Sequence, residues 1–294
     1  MATLRELKGR IGSVASSEKI TGAMKMISSA KMHKAEQQLK QLVPFRNQIE
    51  AIIANLLSAD ARFSSPLLDS RQVSHITVAV WGSDDGLCGA YNVNVYKQLV
   101  GRIAELRKEF GTDVKFTVIS VGNKMAKVCA KLTSDDVEVR TAAGIVAKTE
   151  GDAVKPFAYS LVDDFLKGRT DRVELLYMNF ISISRQRPRA DVFLPVTQEI
   201  FCKGVGNASG RPYLFEPDVN TIFNTVLPLY LLSVVQEVFG ENRAAEQAAR
   251  VMAMQSANDN AKKLLDQLQL EYNKLRQQGI TNELLDIVGG QSRD

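Results

Sequence analysis

Apolar residues at the start of the chain recur at intervals of three and four. Leu4, Leu7, Ile11 and Val14 open the series, Ile20, Met24 and Ile27 extend it, and Ala35, Leu39 and Leu42 resume it beyond Lys31. This is the period of one helix face. The end of the chain repeats it with Ala248, Met252, Ala261, Leu264, Leu268, Tyr272 and Leu275. All eight prolines lie between Pro44 and Pro228, so residues 1–43 and 229–294 are each free to form continuous helix. Residues 1–43 contain no ring, and beyond Phe239 the aromatic content is Tyr272. Such stretches predict narrow rods, of about 65 Å for the first 43 residues and about 70 Å for Asn242 to Val288. The matched lengths predict an antiparallel two-helix coiled coil closed by the two ends of the chain. Gly9, Gly12 and Gly22 each weaken a free helix by about 1 kcal/mol relative to Ala, so the first rod needs a partner. The stripe is not a sustained heptad, and any supercoil is expected to be irregular.

Between the rods the period changes. His75–Trp81 (HITVAVW) and Val114–Val121 (VKFTVISV) read as buried strands. Helices are expected at Asn92–Phe110, Lys124–Leu132 and Val154–Leu166, with a short strand at Val137–Arg140. Val173–Ser182 and Asp191–Ile200 read as a closing antiparallel pair, joined by a turn over Ser184–Ala190 that holds Pro188. Alternating strands and helices predict a central Rossmann-like α/β domain with a partly parallel sheet. The expected organisation is an N-terminal coiled-coil helix at 1–60, the α/β domain at 73–210 and a C-terminal helical region at 218–290. Lys203–Pro217 is expected to be a loop, and Pro228 to break or kink the second rod.

Composition narrows the function classes. With 294 residues, 45% hydrophobic and 24% charged, the chain reads as an ordinary soluble protein of one or two domains. Val226–Val235, its most apolar run, is too short and too interrupted for a membrane span. The charged N-terminus predicts no secretory signal. Cys88, Cys129 and Cys202 form no CxxC pair, which argues for a reducing compartment. Residues 1–43 carry eight Lys/Arg against three Glu, whereas residues 229–294 carry seven basic and nine acidic side chains. Opposite signs favour pairing of the rods and draw acidic partners to the first. Without rings for base stacking, the basic rod makes a poor nucleic-acid surface.

The sharpest local motif is GSDDGLCGAYN, Gly82 to Asn92. A Gly-rich turn between a strand and a helix is where α/β proteins bind phosphate. Here neither GxGxxG nor GxxxxGK[ST] is present, and two aspartates would repel phosphate. Asp84 and Asp85 as Mg²⁺ ligands, with Cys88 as a nucleophile, would make the chain a hydrolase or transferase with a coiled-coil stalk. The alternative is a structural turn. His33 and His75 have no neighbours that suit a triad or a zinc site.

Three blocks, in order, resemble the gamma chain of F-type ATP synthases: LKGRIGSVASSEKITGAMKMISSAKM at the start, the Gly82–Asn92 turn, and EQAARVMAMQSANDNAKKLLDQLQLEYNKLRQQGITNELLDIVGG at the end. The resemblance implies a terminal coiled coil with a Rossmann-like domain. It also implies a central-stalk rotor that couples a membrane ring to a catalytic ring of alpha and beta subunits, with an epsilon subunit as a further partner. It implies no catalytic residue, cofactor or metal, no nucleic acid and no transmembrane segment of its own. The chain would be a peripheral protein on the cytoplasmic side of a bacterial inner membrane. By matching motifs, Met24, Lys25, Arg276, Gln277 and Thr281 are implied to meet the beta subunits, and Tyr213 and Glu216 the membrane ring. Two features depart from the family: Asp85 stands where it usually has Arg or Lys, and Gly279 interrupts the last rod.

Overall fold

The computed structural model describes residues 3–58, 65–197, 201 and 215–291, with side chains described as far as residue 285. Tyr213, Cys202 and most of the expected loop at Lys203–Pro217 lie outside the described residues.

The first rod is one helix, α1, Leu4–Ser58. It opens with a capping box: Glu6 N–H donates to Thr3 Oγ1 at 3.3 Å, and Glu6 Oε2 accepts from Thr3 N–H at 2.8 Å. The helix runs through Pro44. A proline removes a single ladder bond, and the packing along the rest of the helix outweighs that loss.

The sheet has five strands in the order β3-β2-β1-β4-β5: β1 is His75–Trp81, β2 Lys115–Val121, β3 Val137–Thr141, β4 Arg172–Ser182 and β5 Arg185–Leu194. The β1–β2, β2–β3 and β1–β4 pairs are parallel; β4–β5 is antiparallel. Helices α2 (Tyr91–Phe110), α3 (Asn123–Cys129) and α4 (Lys155–Leu166) make the crossovers. Ile76, Val78 and Val80 pack on one face with Val95, Leu99 and Leu106 of α2 and Met125 of α3. Ala79 and Trp81 point to the other face, with Phe157 and Leu161 of α4. A parallel sheet covered on both faces requires this two-sided apolarity, which is why β1 reads as a continuous apolar run.

Two expectations are corrected. The closing strand starts at Arg185, so Pro188, expected in a turn, lies within β5 opposite Met178. As an edge strand, β5 tolerates both a proline and a polar outer row, and its Arg185–Ala190 half therefore lacks a strand's apolar signature. Pro228 does not interrupt the second rod: α5 runs from Val219 to Gln291, 73 residues and about 110 Å of helix. Asp218 caps its start, with Oδ1 accepting from Thr221 N–H at 2.9 Å.

The helix α5 packs antiparallel along α1 and also touches β4, β5 and α4. Its Phe223, Leu227, Tyr230, Leu231, Val235 and Phe239 join Ile49, Ile53 and Leu56 of α1 in the core beneath the sheet. By length and composition α5 holds a stretch apolar enough to cross a bilayer, contrary to the reading of the bare sequence. Half of that stretch is buried inside the fold, the pattern of a core helix. Along the pair, Asn258 Nδ2 donates to Glu18 O at 2.7 Å, and Leu39 fills the space above Gly240, where a Cβ would approach it within 2.8 Å. Arg46 Nε lies 2.9 Å from Glu237 Oε2, joining the basic helix to the acidic one.

Candidate functional site

The turn after β1 ends at the C-terminal edge of the parallel strands, the crevice where open α/β sheets commonly bind ligands. In this chain α5 packs across that crevice, leaving clefts of about 620 Å³ beside Cys88 and Tyr91 and about 280 Å³ beside Asp85 and Gly86. Asn242, fully buried, donates from Nδ2 to Gly82 O at 3.1 Å. The Tyr91 hydroxyl donates to Asn242 Oδ1 and also reaches its backbone O at 3.1 Å. Farther along, the Arg250 guanidinium donates to Gly86 O at 3.2 and 3.3 Å and to Asp85 O at 3.3 Å. Glu246, one turn earlier, accepts from Arg250 Nη2 at 2.7 Å. Ala244, Ala245 and Ala248 are fully buried around this contact, and small side chains let α5 come close. Gly82 is required by the close approach of α3: a Cβ there would lie 2.4 Å from Met125 Cβ.

The candidate catalytic groups are engaged in holding the turn. Asp84 Oδ1 accepts from the backbone N–H groups of Asn123 and Ala147, each at 3.2 Å, tying the ends of three segments together. Asp85 Oδ2 pairs with Lys148 Nζ at 2.7 Å, and this bond lowers the carboxyl's pKa. The lysine supplies a cation beside the position where the resemblance expected a basic residue. Cys88 is buried, with its Sγ 3.7 Å from Ser83 Oγ, and burial raises its pKa. A thiol nucleophile needs the opposite shift. Among the described residues no group of three or more His, Cys, Asp or Glu side chains is placed to hold a metal ion.

The remaining implied residues fall in two places. Met24 and Lys25 are half-buried on α1. Met24 lines a cleft of about 280 Å³ with Lys31, Lys148, Arg243 and Arg250. The register set by Asn258 and Glu18 brings Leu4, the start of α1, level with about residue 272 of α5. Arg276, Gln277 and Thr281 therefore stand on a part of α5 that projects beyond its partner, and all three are exposed. Thr281 Oγ1 donates back to Gln277 O at 2.9 Å. Gly279 lies inside the helix with open space where a Cβ would stand. Glu216 is exposed at the opposite end, just before the cap. The sequence reading named the acidic and thiol groups of the turn but missed Asn242, Glu246 and Arg250. Three polar residues within an alanine-rich, ring-free helix segment were the available signal.

The family model described as ATP synthase matches residues 3–292. The ATP synthase gamma chain of Parabacteroides distasonis is 38% identical over 291 residues, 99% of this chain and 98% of its relative. The gamma chain of Phocaeicola vulgatus is 39% identical over 303 residues, with 99% of both chains covered. A chain of the Euglena gracilis mitochondrial ATP synthase superposes with a TM-score of 0.66 at 20% identity, covering 98% of this chain and 93% of its own. A chain from the central stalk and ring of the Tetrahymena thermophila enzyme gives 0.54 at 21% identity, covering 81% and 99%. That likeness extends to the paired helices and the head together. By its match over nearly the whole length, the chain belongs to the ATP synthase gamma chain family.

Proposed function

We propose that the chain is the central-stalk rotor of an F-type ATP synthase. It transmits rotation of a membrane ring to a catalytic ring of alpha and beta subunits during ATP synthesis, and the reverse during ATP-driven ion pumping. The observation that carries this reading is the continuity of α5. One helix joins a foot near Glu216 to a tip at Arg276, with about 85 Å of helix between Val219 and Arg276. Backbone hydrogen bonds along its length and the antiparallel α1 stiffen it as a shaft. Beyond α1 the tip is free to meet other chains.

The division of labour follows that shape: a coiled-coil helix at 1–60, a head at 73–210, and the returning helix at 218–290. Met24 and Lys25 are assigned to the beta subunits. Lys31, beside Met24 in the same cleft, suits an acidic partner there. Arg276, Gln277 and Thr281 are assigned to a contact that is made and released once per step; an Arg276–carboxylate bond is charge-assisted and stronger than a neutral one. Because Thr281 gives its proton to Gln277 O, its oxygen remains an acceptor toward a partner. Tyr213 and Glu216 are assigned to the ring foot, and an epsilon subunit to the head. The subunit carries no active site of its own. That reading is supported by Asp84, Asp85 and Cys88 being engaged in the turn and by α5 bonding to the turn across the crevice. As part of that complex the chain is assigned a peripheral position on the cytoplasmic side of a bacterial inner membrane.

The test is to tag the chain in its host, solubilise membranes in mild detergent and identify what co-purifies while assaying ATP hydrolysis. Alpha, beta and epsilon subunits with ring protein, and ATPase activity absent from the chain alone, are expected. A chain recovered without them, or one that hydrolyses ATP unaided, overturns the reading.

A further inference from the structure

The head contacts the shaft through two kinds of surface. Apolar packing against Phe239 and its neighbours resists separation, but the force that drives it is non-directional. Hydrogen bonds depend on angle and distance, so they add a directional constraint on the register to that of side-chain packing. At the crevice these bonds are buried and set at two levels of α5. Asn242 holds Gly82 and Tyr91 at the two ends of the turn. Arg250, about 12 Å farther along the helix, holds Asp85 and Gly86 in its middle. Glu246 is 2% exposed and Arg250 6%, so water cannot substitute for a bond that slips.

We propose that Asn242 and Arg250 are positioning residues that lock the axial and rotational register of α5 against the head, so that an angular step applied at one reaches the other without slip. This rests on the rotor reading. Breaking either level alone leaves one pivot at the crevice; breaking both leaves α5 held to the head by apolar packing and by the less buried contacts of Glu241 with Asn179 and Arg243 with Glu150. Glu246 orients the guanidinium and neutralises it, so the pair must be replaced together to avoid a lone buried charge.

The experiment uses the assembled membrane complex, with ATP hydrolysis and ATP-driven acidification of vesicles measured on the same preparation. The variants are the double replacement Glu246→Gln with Arg250→Met, Asn242→Leu, and the milder Tyr91→Phe, which removes one bond and keeps the ring. Hydrolysis is expected to persist while ion pumping per ATP falls by about threefold or more in the first two, with a smaller fall in Tyr91→Phe. Arg250→Lys, which keeps the charge, is expected to restore part of the ratio. A second readout is the angular fluctuation of a bead fixed to the head of a complex stalled on its catalytic ring. It is expected to broaden in the same order. Unchanged pumping per ATP with unchanged fluctuation in the Tyr91→Phe and double variants overturns the proposal. A proportional loss of hydrolysis and pumping without broadening also overturns it, because that marks a merely structural role. Failure of the native chain to support any pumping is separate and rejects the rotor reading itself.

Discussion

Arg250 and Arg276 occupy the same helix and have opposite surroundings. Arg250 is buried, paired with Glu246 and bonded to carbonyls of a turn far away in sequence. Arg276 is exposed on the stretch of α5 that has outrun α1. The first has its donors engaged within the chain; the second presents its fork to whatever surrounds the tip. The contrast separates an arginine that joins two parts of the chain from one left open to solvent, and it shows that polarity along a long helix has no single meaning.

The contrast can be broken most severely at the head. Trp81 is fully buried and meets Phe157 and Phe239 edge-on, at centroid distances of 5.9 and 5.4 Å. Trp81→Ala is expected to lower unfolding free energy by about 3–5 kcal/mol, read from a denaturant midpoint. Next comes the arginine pair itself. Arg250→Ala leaves Glu246 buried without its partner and is expected to cost about 3 kcal/mol, whereas Arg276→Ala should stay within about 0.5 kcal/mol in the isolated chain. Equal losses at the two positions would erase the distinction between joint and tip.

The thiols give a finer probe. Burial raises the pKa of Cys88 and pushes that of Cys129 up to about 12. Both are therefore expected to resist alkylation at pH 8 in the native chain and to react once it is unfolded. Fast native labelling of Cys88 would mean that the turn opens away from α5.

The smallest effect concerns pH. Burial raises the pKa of Glu237 above its ordinary 4.5 despite Arg46, because their contact lacks hydrogen-bond alignment. A raised carboxyl pKa means the folded state holds a proton that the unfolded state has released. This group's contribution is therefore full below 4.5 and is lost as pH rises through the raised value. Glu174 acts in the opposite direction. Its bonds to Arg102 and Arg172 overcome burial and lower its pKa, so its contribution is lost as pH falls. Glu237→Gln should flatten the decline in denaturant midpoint just above pH 4.5, and an unaltered slope would remove Glu237 from that account.

Legibility in the sequence followed burial symmetry. β1 and β2 are covered on both faces, and their apolar runs could be read almost to the residue. β5 is an edge strand whose polar half and Pro188 resembled a turn. Pro228 marked an expected break because local chemistry was weighed without the packing that carries the helix through. The rods and the special turn were visible, since periodicity and glycine spacing are local signals. The joint was not visible, because Arg250 and Asn242 find their partners across more than half the chain. Asp84 and Cys88 looked like chemistry for the same reason: a short buried polar cluster has one composition whether it binds a ligand or the chain's own helix.

The most direct test is rotation itself. The catalytic ring is fixed to a surface, a probe is attached to the head of this chain, and ATP is added. The account predicts unidirectional turning of the head in discrete steps, with the Glu246→Gln, Arg250→Met double variant stepping less sharply. A head that stays fixed relative to the ring while ATP is hydrolysed would contradict it.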